Sequence, residues 1–347
     1  DATTRPKERA PRLVELARVS LELGDAPGAL EAIDDARELS PDSLEAWDLR
    51  DEILVSMGRR EEAEVSLRER IVHDTRSAST STARVRLGTL LCLSGKESEA
   101  EEQFRAAWNV GNTMAFEPLA ALLTAEARWE DLYELNGRLL DGLTEPADRS
   151  RIMLSMAALL DERLGRPQAA EPLYRHVIAV DPTNGAVVDR LTALLLRLEN
   201  WNALTDLKAS VATQAATGME RTAALLDAAR FAKESGRSDE GADFLKQVLE
   251  NNPLEPEALA TLARRASDAR DPAAAGYFAR LETVRKLSLE ERLGWAAIEE
   301  QEGRDGASLV QLEMAHAMLE SASQEHSLAF WESSARVRLR VGDRAGA

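Results

Sequence analysis

The residues of this 347-residue chain whose types could do chemistry are few and scattered. Four histidines, His73, His176, His316 and His326, stand at spacings that build no ligand cluster, and the single cysteine, Cys92, has no second thiol to pair with. A zinc site needs imidazole or thiolate ligands brought close together, and nothing here supplies them. The sequence lacks a G-x-x-x-x-G-K-[ST] phosphate loop, a G-x-G-x-x-G turn, an H-E-x-x-H helix and a G-x-S-x-G elbow. Its 61 acidic residues fall in helical surface patterns such as Glu97, Glu99, Glu101 and Glu102, which single out no acid–base pair. The expectation is a chain without catalytic residues, metal or cofactor. Cys92, on an alanine- and leucine-rich stretch, reads as a small hydrophobe rather than a reactive thiol.

The elements around these residues repeat. A glycine or a polar stand-in recurs at Gly24, Gly58, Gly95, Ala127, Gly165, Glu199, Gly236, Arg270, Gly303 and Gly342, in steps of 34, 37, 32, 38, 34, 37, 34, 33 and 39 residues. Each lies between two apolar-periodic stretches, as the turn of a helical hairpin would. The third unit shows the pattern best: Leu87, Gly88 and Leu91, then Ser94-Gly95-Lys96, then Ala100, Phe104 and Ala107. The spacing puts these residues on one stripe of each helix. Gly88 and Ala100 allow two backbones to approach, and Phe104 fills the groove beside them. Ser40-Pro41, Asp181-Pro182 and Asn252-Pro253 close units, because proline cannot continue a helix and disfavours it one residue upstream. Two units place Trp129 or Trp201 just past the turn, where a core tryptophan is expected.

Leu87-Gly88-x-x-Leu91 followed by Ala100-x-x-x-Phe104 resembles the tetratricopeptide repeat, and the likeness extends over residues 10 to 347. Individual repeats are degenerate: Ala127, Glu199 and Arg270 stand where glycine is usual. The resemblance implies an all-α, right-handed superhelical solenoid of antiparallel helix hairpins, nine full units and a partial tenth. It implies first helices along an inner groove, second helices outside, and binding of other proteins rather than catalysis. The family's asparagine-containing grip on a peptide C-terminus is not expected, since no asparagine occupies the inner face of a first helix.

Residues 1–9 are polar and expected to be a disordered or frayed lead, and 10–347 a single array cut within its last repeat, with Ala347 early in a second helix. The array is therefore expected to belong to a longer protein. A net charge of −18 disfavours nucleic acid and anionic membrane surfaces. No apolar run reaches the roughly 20 residues that span a bilayer. One cysteine fits a reducing, cytoplasmic compartment without establishing it.

Against the acidic background, cations recur on the inner face of the first helices: Arg190, Arg197, Arg230, Lys233 and Arg264. Arg86 and Arg336 take similar places, and Glu45, Asp48 and Glu52 occupy them near the start. A row of guanidinium groups suits carboxylates through bidentate hydrogen bonds. The plain alternative is pairing with neighbours such as Asp189, Asp227 and Glu234. Three functional readings remain: a scaffold that docks a peptide or folded partner in the groove, a regulatory or targeting segment of a larger enzyme or signalling protein, and a structural element that self-associates through apolar ends.

Overall fold

A computed structural model describes residues 6–74, 77–319 and 324–342, and among these every regular element is a helix. The chain divides into two compact units, residues 1–170 and 171–347. The first holds the hairpins α1 (Pro6–Glu22) and α2 (Ala26–Leu39), α3 (Leu44–Ser56) and α4 (Arg60–His73), α5 (Ser77–Leu93) and α6 (Glu97–Asn109), and α7 (Phe116–Ala125) and α8 (Trp129–Gly142), followed by α9 (Pro146–Ala158). The division falls within α10 (Pro167–Val180). The second unit continues with α11 (Gly185–Arg197) and α12 (Trp201–Gln214), α13 (Gly218–Glu234) and α14 (Ser238–Asn251), α15 (Pro256–Asp268) and α16 (Ala273–Val284), and α17 (Leu289–Gln301) and α18 (Asp305–His316), and ends on α19 (Gln324–Val341). The expected lead begins in residues 1–5, outside the described residues, and α1 is helical from Pro6. The expected break in mid-hairpin falls on 343–347, also outside them.

Within each unit a helix packs chiefly on its neighbours in sequence, the contact pattern of a repeat array. Third-unit packing shows why the small residues matter. Ala100 and Phe104 are fully buried, and a Cβ placed on Gly88 would lie 2.6 Å from the Phe104 ring. The glycine is what lets α5 seat on that ring.

All ten turn positions read from the period hold a left-handed residue. Seven are glycines with φ between +63° and +88°, and Ala127, Glu199 and Arg270 adopt the same region at +55°, +51° and +56°. The cause is the way each first helix ends. At Ala127, the Arg128 amide donates to the Leu123 carbonyl (2.8 Å) and the Ala127 amide to Thr124 (3.1 Å), which closes the helix only if the residue between turns left-handed. Asn200 with Glu199 and Asp271 with Arg270 repeat the pair of bonds. An L side chain in that conformation costs about 1–2 kcal/mol. Substituting glycine at 127, 199 or 270 should therefore stabilise the fold by about 0.5–1 kcal/mol each, after allowance for glycine's freer unfolded chain. Urea unfolding of the single variants checks this; a loss of stability at all three would refute the strain.

Irregular steps in the period have local causes. The step of 32 residues contains α7, the shortest of the helices at 10 residues, preceded by a single 3₁₀ turn at Thr113–Ala115. The step of 38 ends in a π-helical turn, Leu159–Arg163, which absorbs extra chain before Gly165 by widening the helix.

The residue after each turn is often a cation that reaches back to the second helix of the preceding hairpin. Lys96 meets Glu64 at 3.0 Å, Arg128 meets Glu101 at 2.7 Å, Arg166 meets Glu130 at 2.6 Å and Arg237 meets Asp206 at 2.8 Å. Lys96, and after it Arg68, hold the Glu64 carboxyl below its usual range against the effect of burial. The cations of these pairs stay open to solvent even where Glu64 and Glu101 are mostly covered, so each pair contributes about 1 kcal/mol.

Candidate functional site

Counting from the left-handed turn explains which of the first-helix cations meet. Arg230 stands six residues before Gly236 and Arg264 six before Arg270, so they occupy the same position on successive first helices, α13 and α15. Lys233 lies on the same stripe of α13, three residues on from Arg230. All three line one cavity of about 520 Å³ between α13, α14 and α15. Arg190 stands nine residues before Glu199 and Arg197 two, so both fall out of that register on α11. They are exposed, make interactions of their own, and do not line the cavity.

The cavity is built by periodicity. On α13 the lining residues Leu226, Ala229, Arg230 and Lys233 share a face, and on α15 so do Glu257, Thr261, Arg264 and Asp268. Between them α14 supplies the floor with Gly241, Ala242 and Leu245, all buried. A Cβ on Gly241 would meet the Ala229 carbonyl at 3.1 Å, so α14 sits close under α13 and leaves a shallow apolar bed.

The cations differ in what they already hold. Arg230 donates to Asp227 and, across the repeat boundary, to Glu257, both at 3.4 Å, the long end of hydrogen bonding. Arg265 pairs with Asp239. The side chains of Lys233 and Arg264 make no hydrogen bond or ion pair within the described residues. Elsewhere on first helices the neighbour-pairing alternative is realised: Arg86 donates to Asp48 at 2.7 Å, Arg18 to Glu45 at 2.7 Å, and Arg336 meets Glu300 at 2.9 Å.

Other residues singled out in the sequence are structural. Trp129 is half-buried with the Arg163 guanidinium 4.9 Å from its ring centroid, and Trp201 stacks on Phe231 at 6.2 Å. Cys92 is half-buried, and burial, then Glu97, pushes its thiol up, away from the reactive thiolate. Among the described residues no group of three or more histidine, cysteine or acidic side chains is placed to hold a metal ion, and no helix is long and apolar enough to cross a membrane.

Two features escaped sequence reasoning. A second cavity of about 420 Å³ opens on the second-helix side, lined by Trp108, Gly111, Arg138, Leu139 and Leu143, beside the hairpin whose first helix is short. The signal was the 32-residue step, which implied missing helix but not where the gap would open. The other is a buried charge network around Arg70, which is 2% exposed and lies between Asp48 and Asp51.

No family model matches the sequence. No curated protein matches it either. Solved structures with a similar arrangement of helices include the TPR domain of P58(IPK), 15% identical, covering 96% of this chain and 99% of that one at a TM-score of 0.29. A second is Naa15/Naa10 bound to HypK-THB, 14% identical, covering 97% of this chain and 62% of that one at a TM-score of 0.46. A tetratricopeptide repeat protein from Parabacteroides merdae ATCC 43184 is 15% identical, covering 73% and 98% at a TM-score of 0.32. The hairpins described above, with their left-handed turns and small-residue contacts, are what make these repeats tetratricopeptide-like.

Proposed function

We propose that this array of tetratricopeptide-like hairpins is a non-catalytic scaffold that docks a protein partner on its first-helix face. The cleft between α13, α14 and α15 is the observation that carries the reading: an apolar bed bordered by cations, two of whose side chains have no partner among the described residues, in a chain of net charge −18. Overall charge repels an acidic partner at long range, but screening confines that repulsion to about 8 Å at physiological salt, so local cations decide at contact. Arg230, Lys233 and Arg264 are the proposed anchors. Arg190 and Arg197 extend the same face on α11 for a partner longer than the cleft.

The test is affinity purification with the full chain as bait, followed by hydrogen exchange on the purified complex. Protection is expected on α13 and α15, and Arg230→Ala and Arg264→Ala should each weaken the complex by about 1–3 kcal/mol. Protection confined to second helices, or around the cavity beside Trp108, would overturn the placement.

A further inference from the structure

We propose that the cavity beside Trp108 binds a small organic carboxylate carried on a planar apolar stem, with the stem against Trp108 and Leu139 and the carboxylate on Arg138. The site lies on second helices and stands apart from the docking reading above. Its 420 Å³ is lined by the end of α6 and the turn after it (Trp108, Asn109, Gly111) and by α8 (Arg138, Leu139). That volume equals about 14 liquid waters, room for an aryl ring and a short acid chain. A Cβ built on Gly111 or Gly142, which also lines the cavity, meets nothing within 4 Å, so no protein group crowds it at either point.

The array itself supplies the template for the ligand. Trp108 stands 13 residues after Gly95 and Arg138 stands 11 after Ala127; in the first two hairpins Arg37 stands 13 after Gly24 and Glu69 stands 11 after Gly58. There the Arg37 guanidinium lies over the Trp47 ring at 3.6 Å and pairs with Glu69 at 3.6 Å. Phe116 takes the place of Trp47, each 11 residues before its turn, and Trp108 packs on it at 5.9 Å. The aromatic contact is thus kept, but the ion pair is replaced by a tryptophan beside a cation. Among the described residues the Arg138 guanidinium has one hydrogen bond, to the Asn109 side-chain oxygen at 3.4 Å, the long end of the range. A guanidinium takes a carboxylate through two parallel hydrogen bonds, and the Trp108 ring offers a face for stacking.

The surrounding charges orient the ligand. Arg105 is held by Glu101 and Asp131. Arg149 takes the Leu140 and Leu143 carbonyls and so offsets the partial negative charge at the end of α8. The end of α6 keeps its own, which places the apolar stem there and the carboxylate on Arg138. Glu134 lines only an adjoining pocket of about 180 Å³ and repels an anion from it.

The experiment titrates 4-phenylbutyrate into the isotopically labelled full chain and follows the indole N–H resonances of its six tryptophans by NMR. Trp108→Phe identifies one resonance by its loss. That resonance should shift most, and 4-phenylbutyrate should bind at least about tenfold more tightly than 4-phenylbutanol, a gap that shrinks as salt rises. Arg138→Gln should abolish the gap, Arg138→Lys should restore part of it, and Glu134→Gln should keep or widen it, with folding verified by circular dichroism. The largest shift at another tryptophan, equal binding of acid and alcohol, a gap that survives Arg138→Gln, or equal binding of 4-phenylbutylamine would each overturn the inference. Tighter binding of acetyl-Gly-Ser-Phe with a free carboxylate would overturn the assignment to a small molecule. The docking reading is tested separately, by hydrogen exchange on a partner complex, and stands or falls without these results.

Discussion

Replacing Arg70 with alanine is expected to destabilise the first unit by about 3–5 kcal/mol. The side chain lies on α4 among α3 and α5. Its guanidinium donates to Asp48 at 2.8 Å, to Asp51 at 3.5 Å and to the Ser79 hydroxyl at 3.2 Å. Asp51 is 3% exposed and also accepts from Ser66 at 2.7 Å. Burial pushes its carboxyl above the usual range; Ser66, Arg70 and two further arginines pull the other way without prevailing. An acid whose folded pKa is raised contributes stability below its unfolded pKa and loses it as pH rises through the folded one. Without Arg70 the carboxyl rises further, so the deficit should be larger near pH 8 than near pH 5. Pairing Arg70→Ala with Asp51→Asn should recover part of it, because the loss comes from an orphaned charge. A deficit indifferent to pH and to the second substitution would assign the loss to packing alone.

The second large effect belongs to Phe104 and Gly88. Phe104→Ala should cost about 3–5 kcal/mol, since the ring is fully buried and the two backbones around it cannot close the void. Gly88→Ala adds one methyl group and should still cost about 1–3 kcal/mol, although alanine is the better helix former. The added Cβ would sit 2.6–2.9 Å from three ring atoms. Gly88→Ala with Phe104→Leu, which trades ring for methyl, should restore much of the loss. Hydrogen exchange should place the damage in α5, α6 and their immediate neighbours. Loss of protection spread evenly over the chain would contradict nearest-neighbour coupling.

The hairpin fold was legible because a period survives the loss of any one residue that marks it. Ala127, Glu199 and Arg270 carry none of glycine's chemistry, yet their spacing placed them at turns, and the left-handed torsion is there. Gly111, also left-handed at +86°, ends α6 and lies outside the series, so the period could not mark it. The site was half legible. Recurrence near the repeat interval placed Arg190, Arg230 and Arg264 in one row, but a step of 40 between Arg190 and Arg230 is not the 37 that separates their turns, so Arg190 stands three residues, about 4.5 Å, further from its turn than Arg230 does. Counting back from the turn would have separated Arg190 from the other two. Arg70 was hidden by composition: a charged residue in a Glu-rich second helix reads as solvated surface, and only the neighbouring acids on α3 make burial tolerable.

Seven of the turns present an empty space where a side chain would begin: a Cβ built on Gly24, Gly58, Gly95, Gly165, Gly236, Gly303 or Gly342 meets nothing within 4 Å. A residue of mirror-image chirality prefers that torsion as an ordinary residue prefers the right-handed helix. A D-alanine introduced there by chemical ligation would adopt that torsion without the penalty an L residue meets, and would stiffen the unfolded chain. The array thus carries, at seven of its ten turns, a position defined by handedness rather than by reactivity, in a chain whose lone thiol is half-buried.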